Sequence, residues 1–183
     1  MAPILGIIAS QITGHLNNNS YESISTVTVG SGGSSSISFS SIPATYKHLQ
    51  IRGIAKTTSG AAQLVMQVGN GSVDTGANYS WHELVGNGSA ASSGAGTSDT
   101  SMRVALIDSN SNIFAALVID ILDYANTNKY KTSRNLAGLD TNGGGQIKFM
   151  SGSWRSTSSV NSITLSGTTF PQYTSFALYG IKG

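Results

Sequence analysis

Side-chain catalysis needs reactive groups that converge, and the candidates in this sequence stand apart from one another. The three histidines, His15, His48 and His82, sit in three different contexts with no partner at a useful spacing. No G-x-S-x-G elbow, phosphate-binding loop or H-E-x-x-H pair occurs, although serine is plentiful. Asp120 and Asp123 resemble a glycosidase pair only in being two neighbouring carboxylates. On a strand, residues three apart point to opposite faces. Asp120 is therefore expected to be hydrogen-bonded in or near a sheet, and Asp123 to open the turn DYANTN.

The segment DTNGGG, from Asp140 to Gly145, offers the alternating oxygens that begin a calcium loop. Its twelfth position is Ser151 where a bidentate glutamate belongs, so a turn between strands is the expectation and no metal is assigned. YSWHE supplies the remaining chemistry. Tyr79, Trp81 and His82 are a candidate exposed aromatic and polar cluster that could anchor a protein interface or stack on a sugar. In a strand, however, Tyr79, Trp81 and Glu83 share one face, and a place in the core is the first reading for Trp81, ahead of an interface or a sugar site. These residues give no catalytic constellation, and the chain is read as a non-enzyme that uses no cofactor.

Composition bounds what such residues can serve. Only 10% of the chain is charged, against about 25% in an ordinary soluble protein, while 39% is hydrophobic. A surface of Ser, Thr, Asn and Gly suits packing against neighbours, because neutral groups lose less on desolvation than charges do. With a net charge of +2 and scattered basic residues, no nucleic-acid partner is expected. Lys129, Lys131 and Arg134 form the closest basic group and read as a solvated loop. The absence of cysteine excludes disulfides and thiolate chemistry.

The elements that must hold these residues read as strands. Residues 1–20 form an apolar arm and a polar hinge, with Ile4, Leu5, Ile7, Ile8, Ile12 and Leu16 as candidate docking residues before Asn17-Asn18-Asn19-Ser20. The arm has no basic leader and is too short to span a bilayer, so no membrane partner is expected, and the protein is expected to be made in a cytoplasm. From residue 21 to 183, short alternating segments follow one another: YESISTVTV, SSISFSSI, KHLQIRGIAK, AQLVMQVG, YSWHELVG, SMRVALID, QIKFMSGSWR, NSITLSG and SFALYGIKG. Gly53 marks an expected bulge in the third of these. FAALVIDILDY, nearly continuous in apolar residues, is expected as a central strand buried on both faces. GNGSAASSGAGTSDTS is expected as a mobile surface loop. The pattern predicts an all-β fold of nine or ten strands, a two-sheet sandwich of jelly-roll type.

The stretch SISFSSIPATYKHLQIRGIAK, residues 36–56, resembles structural proteins of tailed bacteriophages, including those of aquatic and cyanobacterial hosts. GSWRSTSSVNSITLSG, residues 152–167, and the terminal TSFALYGIKG are similar to the closing strands of the same kind of domain. The resemblance implies a virion protein with no catalytic residues to carry over. It implies a capsid decoration or cement protein whose partners are the major capsid protein or other virion subunits, with the amino-terminal arm as the expected point of attachment. By analogy with shell symmetry it also implies a homotrimer. The alternative under the same resemblance is a tail-fibre or tail-tip protein that binds a receptor or glycan.

Overall fold

The computed structural model describes residues 20–183, and the expected docking arm lies outside the described residues. Strands β1 (Tyr21–Thr28), β2 (Ile37–Phe39), β3 (His48–Ala55), β4 (Ala62–Asn70), β5 (Ser72–Val73) and β6 (Tyr79–Gly86) come first. They are followed by β7 (Ala91–Asp99), β8 (Met102–Ile107), β9 (Ala115–Leu122), β10 (Lys131–Asp140), β11 (Gly145–Trp154), β12 (Ser162–Ser166) and β13 (Ser175–Ile181). Eight of them form one sheet in the order β1-β13-β3-β9-β10-β11-β6-β7, and five form a second sheet in which β2, β12, β4 and β5 run in order and β8 pairs with β4. The two antiparallel sheets pack as a sandwich, an arrangement consistent with a jelly roll.

Alternation decides which side chains meet between the sheets. Leu64, Met66 and Val68 of β4 and Ile163 and Leu165 of β12 face Leu49 and Ile51 of β3, Ile119 and Ile121 of β9, and Phe176 and Leu178 of β13, all buried in one core. Phe170 meets Phe176 edge to face at 6.0 Å. Gly53 makes no bulge: its pairing with Phe176 and Leu117 continues in register. A side chain there would run into the Phe176 ring, so the glycine provides close packing within a regular strand.

The FAALVIDILDY segment is a central strand, β9, but it is buried on one face only. Ala115, Leu117, Ile119 and Ile121 point into the core, whereas Ala116 and Leu122 are exposed. The five-stranded sheet covers the inner side of the larger sheet, and among the described residues nothing covers the outer side. The expected loop also contains a strand. Ala91–Asp99 is β7, paired with β6 along its length through Ser80↔Thr97 and Gly86↔Ala91. It is an edge strand of small residues, held by its ladder and not by apolar side chains.

Lys131 is another correction, because it is buried and not on a solvated loop. Its ammonium donates to the carbonyl oxygens of Asn126 at 2.6 Å, Lys129 at 2.9 Å and Thr157 at 3.2 Å. Burial pushes its pKa down from the ordinary lysine value. The three carbonyls replace water around the buried charge.

One hydroxyl joins the two sheets. On one side of β4 the ladder is made by β8 as far as Met66 and by β5 from Gly69, which leaves Val68 between them. Tyr79 of β6 reaches across the core into that gap. Its hydroxyl accepts from the Val68 amide at 3.1 Å and lies 2.9 Å from the Val68 carbonyl and 2.8 Å from that of Asp74. Burial pushes this phenol up to about 12. Tyr79→Phe should leave the Val68 amide unpaired and lower unfolding stability by about 1–3 kcal/mol, read from urea denaturation. A change below the error of the measurement would show that this contact does not tie the sheets.

Candidate docking surface

The proposed cluster at YSWHE separates in the fold. Tyr79 and Trp81 lie in the interior, whereas His82 is exposed on the opposite side of β6. Gly96 of β7 makes room for the indole, since a side chain there would strike the Trp81 ring, whereas one at Gly94 would crowd the Glu83 side chain. The Trp81 ring nitrogen donates to Asp99, and the Arg103 guanidinium stacks 3.9 Å from the ring centroid. Beside it, Lys148 of β11 and Glu83 of β6 form an ion pair at 2.9 Å in the nearly buried border of the sandwich. Trp81 is thus covered by Arg103 and β7 and offers no stacking platform.

The acidic pair is divided as well. The Asp120 carboxylate accepts from Gln50 at 2.7 Å and from Arg134 at 2.9 Å, within the outer face of the larger sheet. Asp123 begins the turn after β9 in a left-handed conformation, φ 48°. Its carboxylate is paired with Lys129 and, at 3.0 Å, with Lys47, while its backbone amide donates to His48 Nδ1. Hydrogen bonds from Lys129 and Lys47 hold this carboxyl down at about 2. His48 and His82 remain apart, on β3 and β6, with β9, β10 and β11 between them. The DTNGGG segment is a tight turn between β10 and β11, where Asp140 accepts from the Asn142 amide at 2.8 Å. Among the described residues, no group of His, Asp and Glu is arranged to hold a metal.

The outer face of the larger sheet has a different character. Cross-strand registers place Ile54, Ala116, Gly138 and Ile147 in one row across β3, β9, β10 and β11. The next row carries Arg52, Val118, Leu136 and Phe149, and continues to Leu84 of β6. Leu136 is 50% exposed, Ile147 58% and Phe149 50%. With Ile54 and Leu84 they present on the order of 500 Å² of apolar surface, toward the upper end of the largest patch on an ordinary monomer. A groove of about 580 Å³ runs through this face between Ile54, Leu136 and Ile147, over a floor of Ala116, Gly138 and Ala177.

No protein-family model matches this chain, and no curated protein or solved structure does. The face must be read from its own chemistry. A polar row borders the apolar stripe, in which Arg52 donates to Gln50 at 2.7 Å and Gln50 and Arg134 both donate to Asp120. Arg52 is further held between the rings of Tyr21 and Tyr179, 5.4 and 5.7 Å from their centroids. An apolar centre with an ordered, charged border is the anatomy of a protein interface.

Sequence reasoning did not find this face, and the reason is parity. On β11 the large apolar residues Ile147 and Phe149 point outward, while Lys148 points inward to Glu83. The signal that could have fixed the direction was Trp154, an inward residue in step with Met150 and Lys148.

Asp123→Asn keeps a residue suited to the left-handed backbone and removes the charge. Because the native carboxyl titrates at about 2, below its ordinary 3.8, its contribution is complete above the ordinary value and is lost as pH falls through about 2. The variant should melt at a lower temperature than the parent at pH 7, with the gap closing between pH 4 and pH 2. A gap that persists undiminished at pH 2 would contradict the assignment.

Proposed function

We propose that this chain is a structural subunit of a tailed-phage particle, a capsid decoration protein that works by docking and stabilises the assembled shell. The observation that carries the docking part of this reading is the exposed stripe of Ile54, Leu84, Leu136, Ile147 and Phe149 on an otherwise weakly charged molecule, a face suited to cover by a protein subunit, whether another copy of this chain or a different one. Such a face in water favours association, because covering it releases its hydration at about 25 cal/mol for each Å² removed from solvent. The three segments similar to phage structural proteins, residues 36–56, 152–167 and 174–183, supply the virion setting. They include β2, β3, β12 and β13, strands of both sheets.

The mechanism is linkage. A subunit that binds the assembled shell and not its separated parts lowers the free energy of the assembly, and several weak attachments reinforce one another. Docking needs no reaction, and the carboxylates Asp120 and Asp123 are engaged in ion pairs that hold the sheet and its turn. A glycan-reading role at a tail tip would use exposed aromatic rings, and burial of Tyr79 and Trp81 removes those candidates from it.

Quantitative mass spectrometry of purified particles, referenced to the major capsid protein, tests the reading. A decoration protein should be present at hundreds of copies per particle. A few to a few tens would move it to the tail, and loss of the chain on gradient purification would overturn the virion assignment.

A further inference from the structure

We infer that the outer face of the eight-stranded sheet is a two-fold interface, and that its partner is the same face of a second copy of this chain. The inference rests on the docking reading only in treating the face as one that protein covers. The choice of partner comes from how the face is arranged.

Strand β10 runs through the middle of it. Its outward residues are Thr132, Arg134, Leu136, Gly138 and Asp140, alternating with the buried Lys131, Ser133, Asn135, Ala137 and Leu139. Arg134 and Asp140 are equidistant from Ala137, one on each side, and carry opposite charges. Leu136 and Gly138 are also equidistant from Ala137, one a half-exposed ridge and the other a bare position with open space above its Cα.

A two-fold axis lying in the interface plane and crossing the strands at Ala137 would lay each strand antiparallel over its own copy. Every residue then meets the one on the far side of the axis. Leu136 enters the partner's groove above Gly138, while Phe149 lies against Ile147 and Val118 against Ala116. Arg134 meets Asp140 at both ends. The neighbouring rows obey the same rule because Gly138 is in register with Ala116 and Ile147, and Leu136 with Val118 and Phe149. Packed sheets lie about 10 Å apart with strands inclined by about 30°, an offset that an arginine side chain can span.

Size agrees with shape. A standard interface covers about 800 Å² on each partner, and the apolar stripe supplies on the order of 500 Å² of it. The rest is the polar border, where Arg134 has N–H groups beyond the one given to Asp120 with no partner among the described residues, and where Asp140 is exposed. An isologous contact of this kind closes at two copies and leaves the rest of each molecule free for other partners.

Sedimentation equilibrium on the full chain, across a dilution series, reads the outcome directly. The parent should show a mass twice the 18.9 kDa of the chain at high concentration. Leu136→Asp should weaken the dimer by about tenfold or more, since it puts a carboxylate into an apolar centre. Asp140→Arg should weaken it by opposing Arg134, and Arg134→Asp combined with Asp140→Arg should recover much of the loss. Circular dichroism and thermal melting of each variant separate loss of association from loss of fold. A monomer at hundreds of micromolar, a trimer, or a dimer indifferent to all three variants would overturn the two-fold interface. Copy number on the particle is read separately. A monomer abundant on virions would remove the interface and leave the docking role, whereas a dimer absent from virions would remove the role and leave the interface.

Discussion

A sandwich of two sheets can cover only one face of each, and period-two alternation sends every second residue of a strand to the uncovered side. In this protein the larger sheet has eight strands and the smaller five, so the outer face of the larger sheet is wide. Its side chains must be soluble or must be covered by something else. Along the cross-strand row of Gln50, Asp120 and Arg134 the face is polar, with Gln50 linking Asp120 to Arg52. In the next two rows it is apolar over β9, β10 and β11, through Val118, Leu136, Ile147 and Phe149. That division of one surface into an ordered polar border and an apolar centre is what the functional reading rests on.

The interior explains why the apolar residues of β11 are outside. The inner side of β10, β11 and β6 carries Ser133, Asn135, Lys148 and Glu83. Asn135 donates to the Arg103 carbonyl at 3.3 Å, Lys148 and Glu83 pair, and Met102 fills the hollow left by Gly152. The polar interior is concentrated where β8 ends the smaller sheet. Asp74 works similarly at one end of the core, accepting from the Trp154 ring nitrogen at 2.8 Å, from the Gly76 amide and from Asn78. The indole hydrogen bond is the main reason its carboxyl lies below the ordinary value. Charge that the composition keeps scarce is spent on fixing borders and turns, leaving the outer stripe neutral.

Much of the fold was legible. The alternating segments that became β1, β3, β4, β6, β8, β11, β12 and β13 announced themselves through Val, Ile, Leu and aromatic residues at every second position. β7 and β10 did not. β7 is built from Ala, Ser, Gly and Thr, and its strand character comes from pairing with β6, a relation that no local pattern encodes. β10 hides its role because Ser133 and Asn135 face inward while Leu136 faces out. Without β10 in place, the row joining Val118 to Leu136 and Phe149 has no middle, and the docking face cannot be assembled from the sequence. The core reading of Trp81 holds and the exposed one fails, and the residue that makes room for the ring, Gly96, lies in the segment that reads as a loop.

Oxidative footprinting of the outer face tests most directly whether protein covers it in the native assembly. Phe149 and Leu136 would be compared between dilute purified chain and chain in intact particles, with exposed Tyr173, in the turn before β13, as an internal reference. The account predicts strong protection of Phe149 and Leu136 in the assembly. Labelling of both at the rate seen in dilute solution would contradict it.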